Sequence, residues 1–302
     1  MKIKIRKMSN IDYIFEEKAA DIGNFLVGRL LPFRQKRNIG PFVFIDHMGP
    51  KVLKAGENLD VAPHPHIGLS TLTFLFEGAV RHRDSLGNDL IIEPGAVNWM
   101  TAGKGVVHSE RTPEALHNVE KSVHGLQIWI ALPKNLENIE PSFVHVESKD
   151  LPIWTEGSVD FKLIAGEFDD EKSAVPVYSK LYMIELKAHQ NQTINLQDRL
   201  YGESGLYILE GEVSSNDTTF GPKQILITKD AHLCTFDIKA GSTIYLFGGE
   251  PFEEEHFIFW NFVSSSRETI EEAKERWKKQ EFPKVPGETD FVPLPENPFK
   301  KD

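Results

Sequence analysis

Two short clusters of metal-ligating residue types stand out in the chain, His64-Pro65-His66 and His108-Ser109-Glu110. Each places two such residues at i and i+2. Side chains alternate between the faces of a β-strand, so each pair would project to one side. Two neighbouring strands with such pairs can bring three imidazoles and one carboxylate to a common point. That donor set suits a divalent transition ion: Fe, Mn, Co, Ni, Cu or Zn. Other histidines read as ordinary core or surface residues: His82, His117 and His145 in the first half, and His189, His232 and His256 in the second. Glu77 and Glu93 sit at turns and read as solvated.

The elements around these pairs are short and β-rich. LSTLTFLF (69–76) stops at Glu77-Gly78, DLIIEP (89–94) at Pro94-Gly95, and AVNWMT (96–101) at AGKG; VVHSE (106–110) and HGLQIWIALP (124–133) follow. Apolar and β-branched runs closed by Gly and Pro predict a sandwich or barrel. The second half echoes the first. GLYILEGEV (205–213) resembles TFLFEGAV (73–80), and FGPKQILIT (220–228) resembles IEPGAVNWM (92–100). A tandem duplication of one barrel is expected. No H-x-H pair occurs after residue 150, so the second copy is expected to be metal-free.

The end of the chain differs. SSSRETIEEAKERWKKQ (264–280) predicts a helix, with Ser265 and Glu268 at capping-box spacing. Ile270, Ala273 and Trp277 share one face, and Glu272–Arg276 and Glu275–Lys279 are candidate i,i+4 ion pairs. A proline-rich tail follows, with Phe282, Phe291, Val292 and Leu294 as apolar anchors for packing on the body.

Composition narrows the function classes. The 302 residues carry 45 acidic and 34 basic side chains, a net charge of -11, which disfavours nucleic-acid binding. Cys234 is the single cysteine, so no intrachain disulfide forms; it reads as a small buried apolar residue. No run approaches the roughly 18 apolar residues of a membrane helix, and the N-terminus lacks a secretory h-region. A soluble, cytoplasmic, monomeric protein is expected. TAGKGVVHS lacks P-loop spacing, and there is no G-x-S-x-G elbow.

The segments PHPHIGLSTLTFLFEGAVRHRDSLGN (63–88), PGAVNWMTAGKGVVHSE (94–110), HGLQIWIALP (124–133) and FIFWNFVSSSRE (257–268) together resemble the pirin family of the cupin superfamily. The likeness runs from about residue 20 to about 290. It implies an all-β fold of two tandem cupin barrels facing each other, with a C-terminal helix and extended tail. The expected division is a metal-binding barrel at 1–150, a metal-free barrel at 151–263 and the helix and tail at 264–302. The resemblance also implies one metal, usually iron as Fe(II), held by His64, His66, His108 and Glu110. Many pirins carry glutamate at the position of Ser70, so that departure bears on hydrogen bonding around the metal rather than on the ligands.

Pirins resemble flavonol 2,3-dioxygenases, and several show quercetinase activity. The implied reaction binds a flavonol through its 3-hydroxyl, with Glu110 as catalytic base, and opens the ring with dioxygen and release of carbon monoxide. Phe44, Phe74, Trp99, Met100 and Trp129 are candidate apolar walls for a small aromatic substrate, with Gln127 as a polar contact. The competing reading is a metal- or redox-sensitive regulatory protein with a protein partner, acting as transcription co-regulator or enzyme partner.

Overall fold

The computed structural model describes residues 11–22, 25–228 and 235–296; His232 and Cys234 lie outside them. The chain folds as two compact units. The site-bearing unit comprises residues 44–148, residues from 252 onward and a short piece at 19–28. The other comprises the described residues of 149–251 together with 29–43 and 11–18. The units therefore interleave along the chain, where the sequence suggests contiguous blocks.

In the site-bearing unit the strands are β1 (Phe42–Leu53), β2 (Val61–His66), β3 (Leu69–Glu77), β4 (Val80–Asp84), β5 (Val97–Thr101), β6 (Val106–Arg111), β7 (Lys121–Ala131) and β8 (Ser142–Val146). One sheet runs β8-β5-β3-β7-β1 and continues with two N-terminal strands. A second, four-stranded sheet runs β2-β6-β4 and ends on the strand Asp89–Ile92. The strand β2 carries Pro63 and Pro65, which cannot donate to a ladder. It lies at an edge, where proline is tolerated.

The other unit repeats the architecture with β9 (Val159–Phe168), β10 (Leu181–Ala188), β11 (Glu203–Glu210), β12 (Gln224–Thr228) and β13 (Thr243–Gly249). Its interior is filled by Phe161, Leu163, Tyr182, Ile184, Leu186, Leu206, Ile208, Leu226 and Leu246. No metal-ligand cluster occurs there among the described residues.

The helix α1 (Arg267–Lys278) buries Ile270, Ala273 and Trp277, as the spacing predicts. They pack on Ile67, Val107, Phe262, Phe282 and Val285. Its N-cap is Ser266 rather than Ser265: the Ser266 hydroxyl accepts from the Thr269 N–H, while Ser265 N donates to Glu137. The helix ion pairs also differ from expectation. Glu271–Lys274 and Glu275–Lys278 pair at i,i+3, whereas Arg276 donates to the Lys104 carbonyl and lies over the Phe282 ring.

The tail then returns across β2. Val292 N donates to the Pro63 carbonyl, and Trp277 Nε1 donates to the Val292 carbonyl. The open edge of β2 is thereby covered. Phe282 is buried and Leu294 half-buried on the same cluster, but Phe291 remains exposed. Glu288 accepts from Ser109 Oγ and Arg111, on the strand that carries His108.

Glu137 ties the segment after β7 to the start of the helix. It accepts from Ser264 Oγ at 2.7 Å and Ser265 N at 2.6 Å. Burial pushes this carboxyl up, but hydrogen bonds from His256, Ser264 and Ser265 outweigh it and hold it below its ordinary 4.5. A depressed carboxyl stabilises the fold above its unfolded value and loses that contribution as pH falls through the folded one. Glu137→Gln should therefore cost about 1–3 kcal/mol at pH 7. The deficit should shrink as pH drops below about 4.5. Urea titrations at pH 7 and pH 4 read the difference; an equal deficit at both contradicts it.

Candidate metal centre

Register brings the two sequence pairs together. On β2 and β6, His108 stands opposite His64 and Val106 opposite His66. The three imidazoles are buried, and one ring nitrogen from each lies within 4.8 Å of the others. His66 Nε2 and His108 Nε2 are 3.1 Å apart. Two neighbouring ligands at about 2.1 Å from an octahedral ion would stand about 3.0 Å apart, so the spacing fits.

The outer nitrogens fix which atoms face the centre. His64 Nδ1 lies 2.9 Å from the Ala62 carbonyl, which leaves its Nε2 free. His66 Nδ1 is a buried atom with no hydrogen bond; the Asn261 carbonyl approaches that ring without reaching bonding geometry. Burial, the largest cause, brings His64 down to about 4 and pushes His66 and His108 well below their ordinary value. All three rings are thus neutral near pH 7, the form that ligates metal.

Glu110 does not join the three-histidine group. A register shift falls between His108 and Glu110 on the β2 side, and Glu110 stands opposite His82 on β4. Its carboxyl is half-buried, and burial raises its pKa.

The wall candidates separate by face. Paired residues on adjacent strands share a face. Trp129 lies against His66, ring centroids 5.3 Å apart and nearly perpendicular, which marks its face as the metal side. Phe44 stacks on Trp129 at 4.0 Å. Gln127 shares Trp129's face and accepts from Thr73 Oγ1. Met100, opposite Thr71, is also on that face. Phe74 and Trp99 are not. They belong to the opposite face with Ser70, Leu72 and Thr101, so they are plain core. Ser70 likewise points away from the metal side and donates to Thr101 Oγ1.

Several residues on the metal side escape a sequence reading. Thr71, Thr73 and Asn98 are buried polar groups at alternate positions of otherwise apolar strands. That alternation is the signal of a polar interior. His145 is among the histidines assigned above to core or surface; its Nδ1 lies 2.7 Å from Asn98 Oδ1. His82 Nδ1 lies 3.4 Å from His108 Nδ1, so it is no bystander. His117 and His256 do serve the fold, on the Thr112 and Leu132 carbonyls. His189 pairs with Asp160 at the surface. Glu77 and Glu93 are exposed.

Two β units, one with a buried histidine cluster and one filled with apolar side chains, define a bicupin. Residues 24–130 match the pirin family and residues 183–283 the pirin C-terminal cupin domain. A pirin-like protein of Caulobacter vibrioides is 45% identical over 291 residues, covering 95% of this chain and 100% of that protein. The chain belongs to the pirin family. A crystal structure of quercetin 2,3-dioxygenase from Acinetobacter baumannii matches with a TM-score of 0.86 and 35% identity, over 96% of this chain and 97% of that one. A bacterial pirin from Escherichia coli, solved with nickel(II), shares the fold at 21% identity and a TM-score of 0.64, over 79% of this chain and 99% of that one. No helix among the described residues is long and apolar enough to cross a membrane.

Proposed function

We propose that the protein is a metal-dependent dioxygenase of flavonols such as quercetin. His64, His66 and His108 hold one divalent transition ion, Fe(II) by preference; Glu110, outside their group without an ion, is the carboxylate that would complete the set when one binds. The observation that carries this reading is the trio of buried, neutral imidazoles whose inner nitrogens converge. The likeness to a quercetin 2,3-dioxygenase supports the substrate class. The ion would supply Lewis acidity and a one-electron couple for dioxygen.

The chain's own groups do the rest. Trp129 and Phe44 form a stacked flat wall beside His66, suited to a planar aromatic ring. Gln127 offers a polar contact on that wall. Glu110, made more basic by burial, accepts the proton of the substrate's 3-hydroxyl.

Iron-loaded protein should consume oxygen with quercetin and release carbon monoxide in equal amounts. Glu110→Gln should lower kcat by about 100-fold or more, the usual contribution of a positioned base. Absence of carbon monoxide from fully loaded protein overturns the reaction. An unchanged kcat in Glu110→Gln overturns the role of that carboxylate.

A further inference from the structure

We propose that Asp84 and His82 form a hydrogen-bonded relay that sets the tautomer of His108 and so aims its Nε2 at the metal. The inference deepens the reading above and rests on His108 as a ligand. It assigns His82 and Asp84 as positioning residues.

The geometry runs outward from the centre in three links. His108 Nε2 faces His66 Nε2 at 3.1 Å. On the other edge of the same ring, Nδ1 meets His82 Nδ1 at 3.4 Å. The far nitrogen of His82, Nε2, meets Asp84 Oδ2 at 3.2 Å. All three side chains are buried, so water does not substitute for any link.

Donor and acceptor roles follow from one end. An ionised carboxylate only accepts, so His82 Nε2 carries the proton. In the neutral ring, His82 Nδ1 is then bare and accepts. His108 Nδ1 must be the donor, which leaves His108 Nε2 bare and pointing at the centre. A ligating histidine that donates its outer N–H to a carboxylate is held in the right tautomer and made more basic. Here the carboxylate acts at one remove, through a second imidazole.

Asp84 is itself fixed. Its Oδ1 accepts from the backbone N–H groups of Leu86 and Asn88, and Oδ2 also accepts from Asn88 Nδ2. His82 is held flat against Phe143, ring centroids 4.5 Å apart. Strand pairing delivers both residues, because His108 stands opposite Asp84 and Glu110 opposite His82 on β6 and β4.

The discriminating variant is Asp84→Asn. It keeps Oδ1 for the turn but presents an amide N–H to His82 Nε2. The His82 proton must move to Nδ1, where it confronts the His108 N–H. Zinc titration of metal-free protein against a chromophoric chelator should show affinity lowered by about 10–100-fold. Nitrogen-15 spectra of the zinc-loaded protein should show the His82 proton on Nε2 in the native chain and on Nδ1 in Asp84→Asn. His82→Phe, which preserves packing on Phe143 and leaves the turn intact, should lower affinity to the same extent. It serves as the test if Asp84→Asn does not fold. Native zinc affinity in His82→Phe, or the native tautomer in a folded Asp84→Asn, overturns the relay. Native affinity in His108→Ala overturns the metal reading itself, a separate failure.

Discussion

His66→Leu should fold, lose the metal, and in its metal-free form unfold at a higher temperature than the native protein. In the absence of an ion, the native centre confines three desolvated imidazoles, one of them with an unsatisfied Nδ1. An unmet buried polar group costs about 1–3 kcal/mol. Leucine removes that cost and keeps much of the volume. With metal at about 1,000 times its dissociation constant, the native protein gains about 4 kcal/mol and the variant gains little. The order of stability should therefore invert when metal is added. Calorimetry with and without Fe(II) or Ni(II), with elemental analysis, measures both arms. A native Tm that ignores metal, or a variant that responds equally, refutes the assignment.

Trp277→Ala should be the most damaging single change outside the centre. The indole is buried, packs edge-on to Phe282 and Phe291, and donates Nε1 to the Val292 carbonyl. Its removal should cost about 3–5 kcal/mol by lost contacts and cavity formation. Trp277→Phe keeps most of the ring and forfeits the hydrogen bond, so it should cost about 1–2 kcal/mol. The tail segment over β2 should also become a protease target in the alanine variant. Urea unfolding and limited proteolysis separate the two; equal losses in both variants, or an uncut tail, contradict the account. Ile67 and Val107 share the cluster and neighbour His66 and His108 in sequence, so weaker metal retention should accompany the damage.

The three-histidine cluster is legible in the sequence because it depends mainly on the two-residue period of a strand, whereas Glu110 falls outside it. His64, His66 and His108 came together wherever adjacent strands were assumed. The same period, applied without register, could not say which face of β3 or β5 looks inward. Phe74 and Trp99 looked like walls, whereas Thr71 and Thr73 are the inward residues. His82 passed as ordinary because its importance lies in which residue β4 sets opposite β6. Such pairing is a long-range fact with no local sequence mark. The helix face of Ile270, Ala273 and Trp277 was local and came out as spaced. Its cap moved by one residue because Ser265 N is claimed by Glu137, a residue 128 positions away.

The second barrel has turned its hollow into ballast. Phe161, Tyr182 and their neighbours fill the interior of the second unit, where the first sets Thr71, Thr73, Asn98 and three buried histidines. A barrel interior without a guest must still be filled, and packing it solid gives rigidity. An engineer seeking a second reaction chamber would have to excavate aromatic rings at about 3–5 kcal/mol apiece before adding a single ligand.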